Sequence, residues 1–226
     1  MNKLIYSSFS FTQIQFVLIC ILLLCQNSFA SDCDSNDETQ KLIEKGSNFY
    51  DTAEFEESIN CFTISAERGD GYSNGVLGWI YENGIGVSQN YEKALKFRII
   101  GANSGDAYSQ GGLAWHYKTG TEVEQDDKLA VKYFELSAEQ GDSYGQYGLA
   151  WYYENGVVVS QNYDEAFRLS LLSAEQNYSS AMQNLGFYYA NGYGVEQDYE
   201  KAVKWYLKGA KNGDVNSMGD LGFHYA

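Results

Sequence analysis

The sequence predicts an all-α fold, a right-handed solenoid of stacked antiparallel helix hairpins. Segments of 36 residues begin at Gly71, Ala107, Ser143 and Ser179 and follow one another without a gap to Asp214. Self-similarity at a fixed period of this length marks a stacked-repeat architecture. Each segment divides into two stretches of helical apolar spacing, Tyr72 to Asn83 and Tyr91 to Asn103 in the first copy, joined through Gly84 to Asn90. Neither stretch can bury its apolar face alone, so the hairpins must stack.

Residues 1–30 stand apart. Lys3 supplies a weak positive start, residues 16–24 form an apolar run, and Ser28-Phe29-Ala30 fits a small-x-small cleavage site. The expectation is a secretory signal peptide removed after Ala30. An uncleaved membrane anchor is the other reading. Export implies a secreted or periplasmic location, or the secretory lumen of a eukaryote. No other long apolar run follows, so no stable membrane span is expected once the signal is cleaved. The formal net charge is −15. The leader holds one lysine and no acid, so the remainder is more acidic still. A chain of this charge repels phosphate backbones, which sets nucleic acid aside.

Residues 31–37 read as an acidic, flexible start. Cys20 and Cys25 leave with the leader, and Cys33 and Cys61 remain. In an exported protein this pair either forms a disulfide that pins the start to the body or stays as two free thiols. Residues 38–70 read as a divergent first unit. Gly46 and Phe49 match Gly78 and Tyr81 there, and Ala66 and Gly69 match Ala102 and Gly105, but the join is about four residues shorter. Its charged helices suit an end cap. The full repeats are 71–106, 107–142, 143–178 and 179–214. Residues 215–226 carry the first-helix pattern of a further repeat, which either caps the stack or leaves an apolar face for a partner. Asn177-Tyr178-Ser179 is an acceptor sequence in a host that glycosylates.

Within the repeats each column has a physical role. Gly84, Gly120, Gly156 and Gly192 stand where a left-handed residue closes the first helix. Asn90, Asp126, Asn162 and Asp198 stand where a side chain caps the second. Gly105, Gly141, Asn177 and Gly213 close that second helix. Leu77, Leu113, Leu149, Leu185 and Leu221 form an apolar column, with Tyr81, Tyr117, Tyr153, Tyr189 and Tyr225 four residues on, hence on the same face. Small residues at Gly78, Ala114, Ala150, Gly186 and Gly222 let a neighbouring helix come close. Ala94, Ala130, Ala166 and Ala202 line the second helix, beside bulky Phe97, Tyr133, Leu169 and Trp205.

The pattern L-G-x-x-Y-x-x-G-x-x-V-x-Q-[DN]-Y-x-x-A, whole at Leu185 to Ala202, resembles the Sel-like repeat (SLR) family, a subclass of the tetratricopeptide repeat superfamily. The likeness covers about 71–226, and 38–70 is more similar to an ordinary tetratricopeptide repeat. Departures are Ser88, Glu124, Ser160 and Glu196 where many members have proline, and Asp127 where tyrosine is usual. The resemblance implies an α-solenoid that works as an adaptor. Relatives include exported bacterial proteins that meet host proteins and adaptors of eukaryotic protein quality control. A cysteine-rich branch, with a disulfide in each repeat, has been linked to penicillin binding. The repeats here lack those cysteines, which counts against that branch.

A helix turns about 100° per residue, so with Leu77 at zero, Tyr72 and Trp79 fall roughly 200–220° away, on the opposite side. The pair recurs as Tyr108 with Trp115 and as Tyr144 with Trp151, and Phe187 takes the second slot of the next copy. If the first helices line the inner surface, these seven residues form a ladder of aromatic anchors for a protein or extended peptide. Packing against adjacent helices is the plainer reading of such a stripe. Glu82, Lys118 and Glu154 share a nearby column, alternate in sign, and specify no charged ligand.

Nothing in the sequence assembles a catalytic or metal site. The two histidines, His116 and His224, share a column with Ile80, Tyr152 and Tyr188, which points to packing. No H-E-x-x-H, C-x-x-C or phosphate-cradling loop occurs, and no cofactor is expected. The leading expectation is therefore an exported, non-enzymatic scaffold. A cell-wall-related hydrolase or penicillin-binding repeat protein is the alternative, on family likeness alone.

Overall fold

A computed structural model describes residues 33–214 and Ser217. The signal read at 1–30, the first two residues of the acidic start and the partial repeat save Ser217 lie outside the described residues. Among the described residues there are ten helices and no strand. No helix among them is long and apolar enough to cross a membrane. They fall into two compact units, divided between Cys61 and Phe62.

The first unit contains α1 (Thr39–Asp51) and the start of α2 (Phe55–Glu67). Cys33 and Cys61 are joined by a disulfide, with Cα atoms 5.1 Å apart. Asp37 takes Lys41 and Lys45 on its two oxygens. Leu42 is fully buried, and the Ser58 hydroxyl donates to the Gly46 carbonyl at 2.7 Å. Only Thr52, Ala53 and Glu54 separate the two helices, against seven residues in each later hairpin.

The second unit holds four hairpins. These are α3 (Gly71–Asn83) with α4 (Tyr91–Asn103), α5 (Ala107–Thr119) with α6 (Asp127–Glu139), α7 (Ser143–Asn155) with α8 (Tyr163–Glu175), and α9 (Ser179–Asn191) with α10 (Tyr199–Lys211). Their ends have local causes. Gly84, Gly120, Gly156 and Gly192 close the first helices at φ of 66, 70, 66 and 72°, a region open to glycine without penalty. Asn177 takes φ 67° where the other copies have glycine. Asn90, Asp126, Asn162 and Asp198 each accept a first-turn amide of a second helix. Asp70, Asp106 and Asp142 do the same for α3, α5 and α7, a column not anticipated above. In α9 that position is Tyr178, and no side chain caps the helix.

The hairpins stack in sequence order. The second helices α4, α6 and α8 each pack on the first helix of the following repeat, and α3 meets α5 as α5 meets α7. Leu77, Leu113, Leu149 and Leu185 are buried, as are Ala94, Ala130, Ala166 and Ala202. Burying one such leucine is worth about 1.5–3 kcal/mol. The tyrosines four residues on are half-buried and stack on the second helix, Tyr81 on Phe97 at 5.7 Å and Tyr117 on Tyr133 at 5.9 Å. Two rings fill clefts that only glycine leaves open. A Cβ at Gly148 would collide with Phe134, and one at Gly186 with Tyr206. Together these contacts make an all-α solenoid of stacked hairpins.

Candidate binding groove

Phe134 and Tyr206 belong to a column that in the first repeat is Arg98. Its guanidinium lies against Gly112, where a Cβ would collide with it. Arg98 is 2% exposed, so a counter-charge is obligatory. Glu82 supplies it, with Nη2 to Oε2 at 2.7 Å and Nε to Oε1 at 3.1 Å. A further N–H donates to the Tyr108 carbonyl at 3.2 Å, and the guanidinium sits 4.6 Å from the Tyr108 ring centroid. Burial would lower the Arg98 pKa, but Glu82 outweighs it and the group stays charged. Burial would likewise raise the Glu82 pKa, yet His116 and Arg98 hold it below its ordinary value.

His116 is buried, though not as an apolar filler. Nε2 lies 3.0 Å from Glu82 Oε1, and Nδ1 lies 2.9 Å from the Thr121 carbonyl. The same cross-repeat link recurs where the Tyr188 hydroxyl donates to Glu154 at 3.0 Å. Lys118 takes the carboxylate's column in between and cannot accept. The Tyr152 hydroxyl donates instead to Asp127 at 2.6 Å, which accounts for the acid at that position.

Above this pair opens a groove of about 760 Å³, lined by Trp79, Tyr91, Tyr108, Trp115, Tyr144 and Tyr178, with Glu82, Arg98 and Asp142. The expected stripe is thus divided. Trp79, Tyr108, Trp115 and Tyr144 come together here. Tyr72, 44% exposed, and Phe187, 37% exposed, lie outside the lining, and Trp151 packs against the core around Phe134 and Leu149. Trp115 is 40% exposed and meets Tyr144 with ring centroids 6.2 Å apart. Tyr178 continues the wall, 6.0 Å from Tyr144 and 5.0 Å from Tyr147. Burial pushes the Tyr108 hydroxyl up to about 12 and those of Tyr144 and Tyr178 well above the usual range, so all three stay neutral.

One interval along the stripe is filled from within. The Lys118 ammonium sits 3.5 Å from the Trp151 ring centroid and 5.1 Å from that of Trp115. Burial brings its pKa down to about 8. The equivalent residue one repeat earlier, Glu82, turns instead to Arg98 and His116. Among the described residues, no cluster of His, Cys, Asp and Glu is placed to hold a metal ion. The arrangement offers ring faces, hydroxyls and carboxylates for contact, which is the chemistry of binding.

Arg98, Tyr91, Asp142 and Tyr178 escaped the sequence reading. Arg98 and Tyr91 gave no signal of their own. Tyr178 did, because Asp70, Asp106, Asp142 and Asp214 share its column, and a capping residue was given up there for a ring.

Stacked hairpins with an aromatic groove across them define a helical-repeat scaffold. The chain belongs to the Sel1 repeat family, whose model matches residues 76–106, 107–142, 143–178 and 179–214. Proteins of this family are generally scaffolds for protein interaction and typically non-catalytic. A Sel1 repeat protein from Oxalobacter formigenes is 28% identical with a TM-score of 0.66, over 81% of this chain and 75% of that one. A protective antigen present in uropathogenic Escherichia coli strains, displaying an SLR fold, is 30% identical with a TM-score of 0.65. The match takes in 83% of this chain and 41% of the antigen, so this chain spans less than half of it. An immunity protein from Pseudomonas aeruginosa, 18% identical with a TM-score of 0.54 over 76% of this chain and 67% of that one, shares the fold. Among curated proteins, none matches the sequence.

Proposed function

We propose that this protein is an exported scaffold that binds a partner protein by seating an extended segment in the groove around Trp115. The observation that carries this reading is the meeting of Trp79, Tyr108, Trp115 and Tyr144 on the first-helix layer, in a cavity of about 760 Å³. Large rigid rings give contact area at low entropy cost. The contacts of α5 with α3 and α7 support this layer as the inner, concave surface, since helices on the inside of a curve come closest. Tyr72, Trp151 and Phe187 extend the same stripe to either side. Export is supported by the leader pattern at 1–30 and by the Cys33–Cys61 bridge, since disulfides persist in oxidising compartments. The net charge of −15 argues against nucleic acid as the partner.

The test compares the parent with a Trp79→Ala/Trp115→Ala variant for capture from the native envelope fraction, with thermal unfolding run in parallel. A stoichiometric partner held by the parent and lost by an equally stable variant is the expected result. Equal capture by both would overturn the groove as the site. Export is checked by sequencing the mature N-terminus, which should begin at Ser31.

A further inference from the structure

The groove carries a seat for a positive charge. Lys118 shows what that seat looks like when filled, with its ammonium 3.5 Å from the Trp151 centroid and 5.1 Å from Trp115. Shifted back by one repeat, the same seat lies between Trp115 and Trp79. Glu82 holds the lysine's position there, and its carboxylate is withdrawn to Arg98 and His116. Lys118 reaches the Trp115 ring from outside the groove lining.

The charges of the lining favour a cation. Arg98 is neutralised by Glu82. Asp142 is not neutralised. Its Oδ1 caps α7 through the Gly145 amide at 2.8 Å and accepts the Ser137 hydroxyl at 3.0 Å. Its Oδ2 receives no hydrogen bond, and no basic group pairs with it among the described residues. The uncompensated charge beside the rings is therefore negative. A second internal example, Arg98 at 4.6 Å from the Tyr108 centroid, shows a guanidinium against a ring in the same groove. Aromatic faces attract cations through the ring quadrupole, more strongly where water is excluded. The field of a chain with net charge −15 draws such a partner in.

We infer that the partner segment is basic, and that it places an arginine or lysine side chain over Trp115, with Asp142 as its counter-charge. This rests on the groove reading above and names the chemistry of its occupant.

The experiment titrates the full chain with a blocked glycine peptide carrying two arginines. The control is the same peptide with citrulline, which keeps the shape and loses the charge. Binding is read from tryptophan fluorescence and calorimetry at low and high salt. The arginine peptide should bind saturably, weaken with salt, and exceed the citrulline peptide by about tenfold or more. Asp142→Asn, which keeps the Oδ1 cap, and Trp115→Leu should each weaken the arginine peptide at unchanged melting temperature. Equal binding of the two peptides, arginine binding indifferent to both substitutions, or no saturable binding would overturn the inference. If both peptides bind equally and both are lost in Trp115→Leu, the groove stands and the basic occupant falls. If neither peptide binds while partner capture still depends on Trp79 and Trp115, the outcome is the same. If that capture fails as well, the groove reading falls with it.

Discussion

Glu82 meets Arg98 side-on, with two N–H groups of the guanidinium on its two carboxylate oxygens at 2.7 and 3.1 Å, in a slot that other repeats fill with the ring of Phe134 or Tyr206. Taking away one partner strands a buried charge, which costs about 3–5 kcal/mol. Glu82→Ala should destabilise the chain by that order in urea unfolding. Adding Arg98→Phe should recover most of the loss, because the sister repeats already pack a ring there. The Glu82 pKa is depressed in the fold, so its contribution is present above its ordinary value of 4.5 and lost as pH falls through the lower folded value. Acid unfolding of Glu82→Ala should lack that component.

Glu154 shares the column of Glu82 and behaves oppositely. Burial raises its pKa, and the hydrogen bond from the Tyr188 hydroxyl, which pulls the other way, does not outweigh it as Arg98 and His116 do at Glu82. A raised carboxyl favours the fold at low pH and costs stability as pH rises through its folded value. Glu154→Gln keeps an acceptor for Tyr188 and removes the charge. It should be more stable than the parent at neutral pH, with the difference gone below the unfolded pKa. A loss of stability at neutral pH would count against this assignment.

Lys118 should titrate near pH 8, because loss of water around its buried ammonium disfavours the charge. Side-chain NMR of the lysines, followed against pH, would show one ammonium titrating well before the rest. Lys118→Met should remove that transition and nothing else in the set.

Val158 sits at φ 66° in the loop between α7 and α8, a conformation β-branched residues avoid. The matching positions are Gly86, Glu122 and Gly194, at φ 68°, 58° and 66°. The left-handed region costs a residue with a Cβ about 1–2 kcal/mol. Val158 is 51% exposed, so little packing is lost with the side chain. Val158→Gly should raise the unfolding free energy by about 1 kcal/mol, with no effect on binding in the groove.

Tyr178→Asp would restore the cap that α3, α5 and α7 have. The cap is worth about 1 kcal/mol and offsets the ring contacts to Tyr147 and Tyr144, each about 0.5–1.5 kcal/mol. Net stability should therefore fall by about 0–2 kcal/mol, while arginine-peptide binding weakens. Unchanged binding would remove Tyr178 from the site.

The parts of this fold that the sequence made legible are those set by local backbone demand. Gly84 and Asn90 declare a helix end and a helix start within a few residues, and they recur every 36. The Leu77 column was legible for the same reason. The groove's polar floor was not. Glu82 finds Arg98 16 residues away and His116 34 away, and neither separation is a helical neighbour spacing. Asp127 looked like a simple departure until Tyr152 was seen to need an acceptor that Lys118 cannot be. The aromatic stripe was found by angle alone. Angle could not separate Trp115, which faces the groove, from Trp151, which leans on the core.

A stack with a strict period is degenerate under translation. A ligand that read only shared columns would meet the same surface at each step and have several equivalent seats. Arg98 breaks that symmetry, since its column continues as Phe134, Ser170 and Tyr206. Tyr178 breaks it a second time, in a column otherwise made of aspartates. Between these two irregularities the array has an address. A segment that fits there is fixed in register as well as in place.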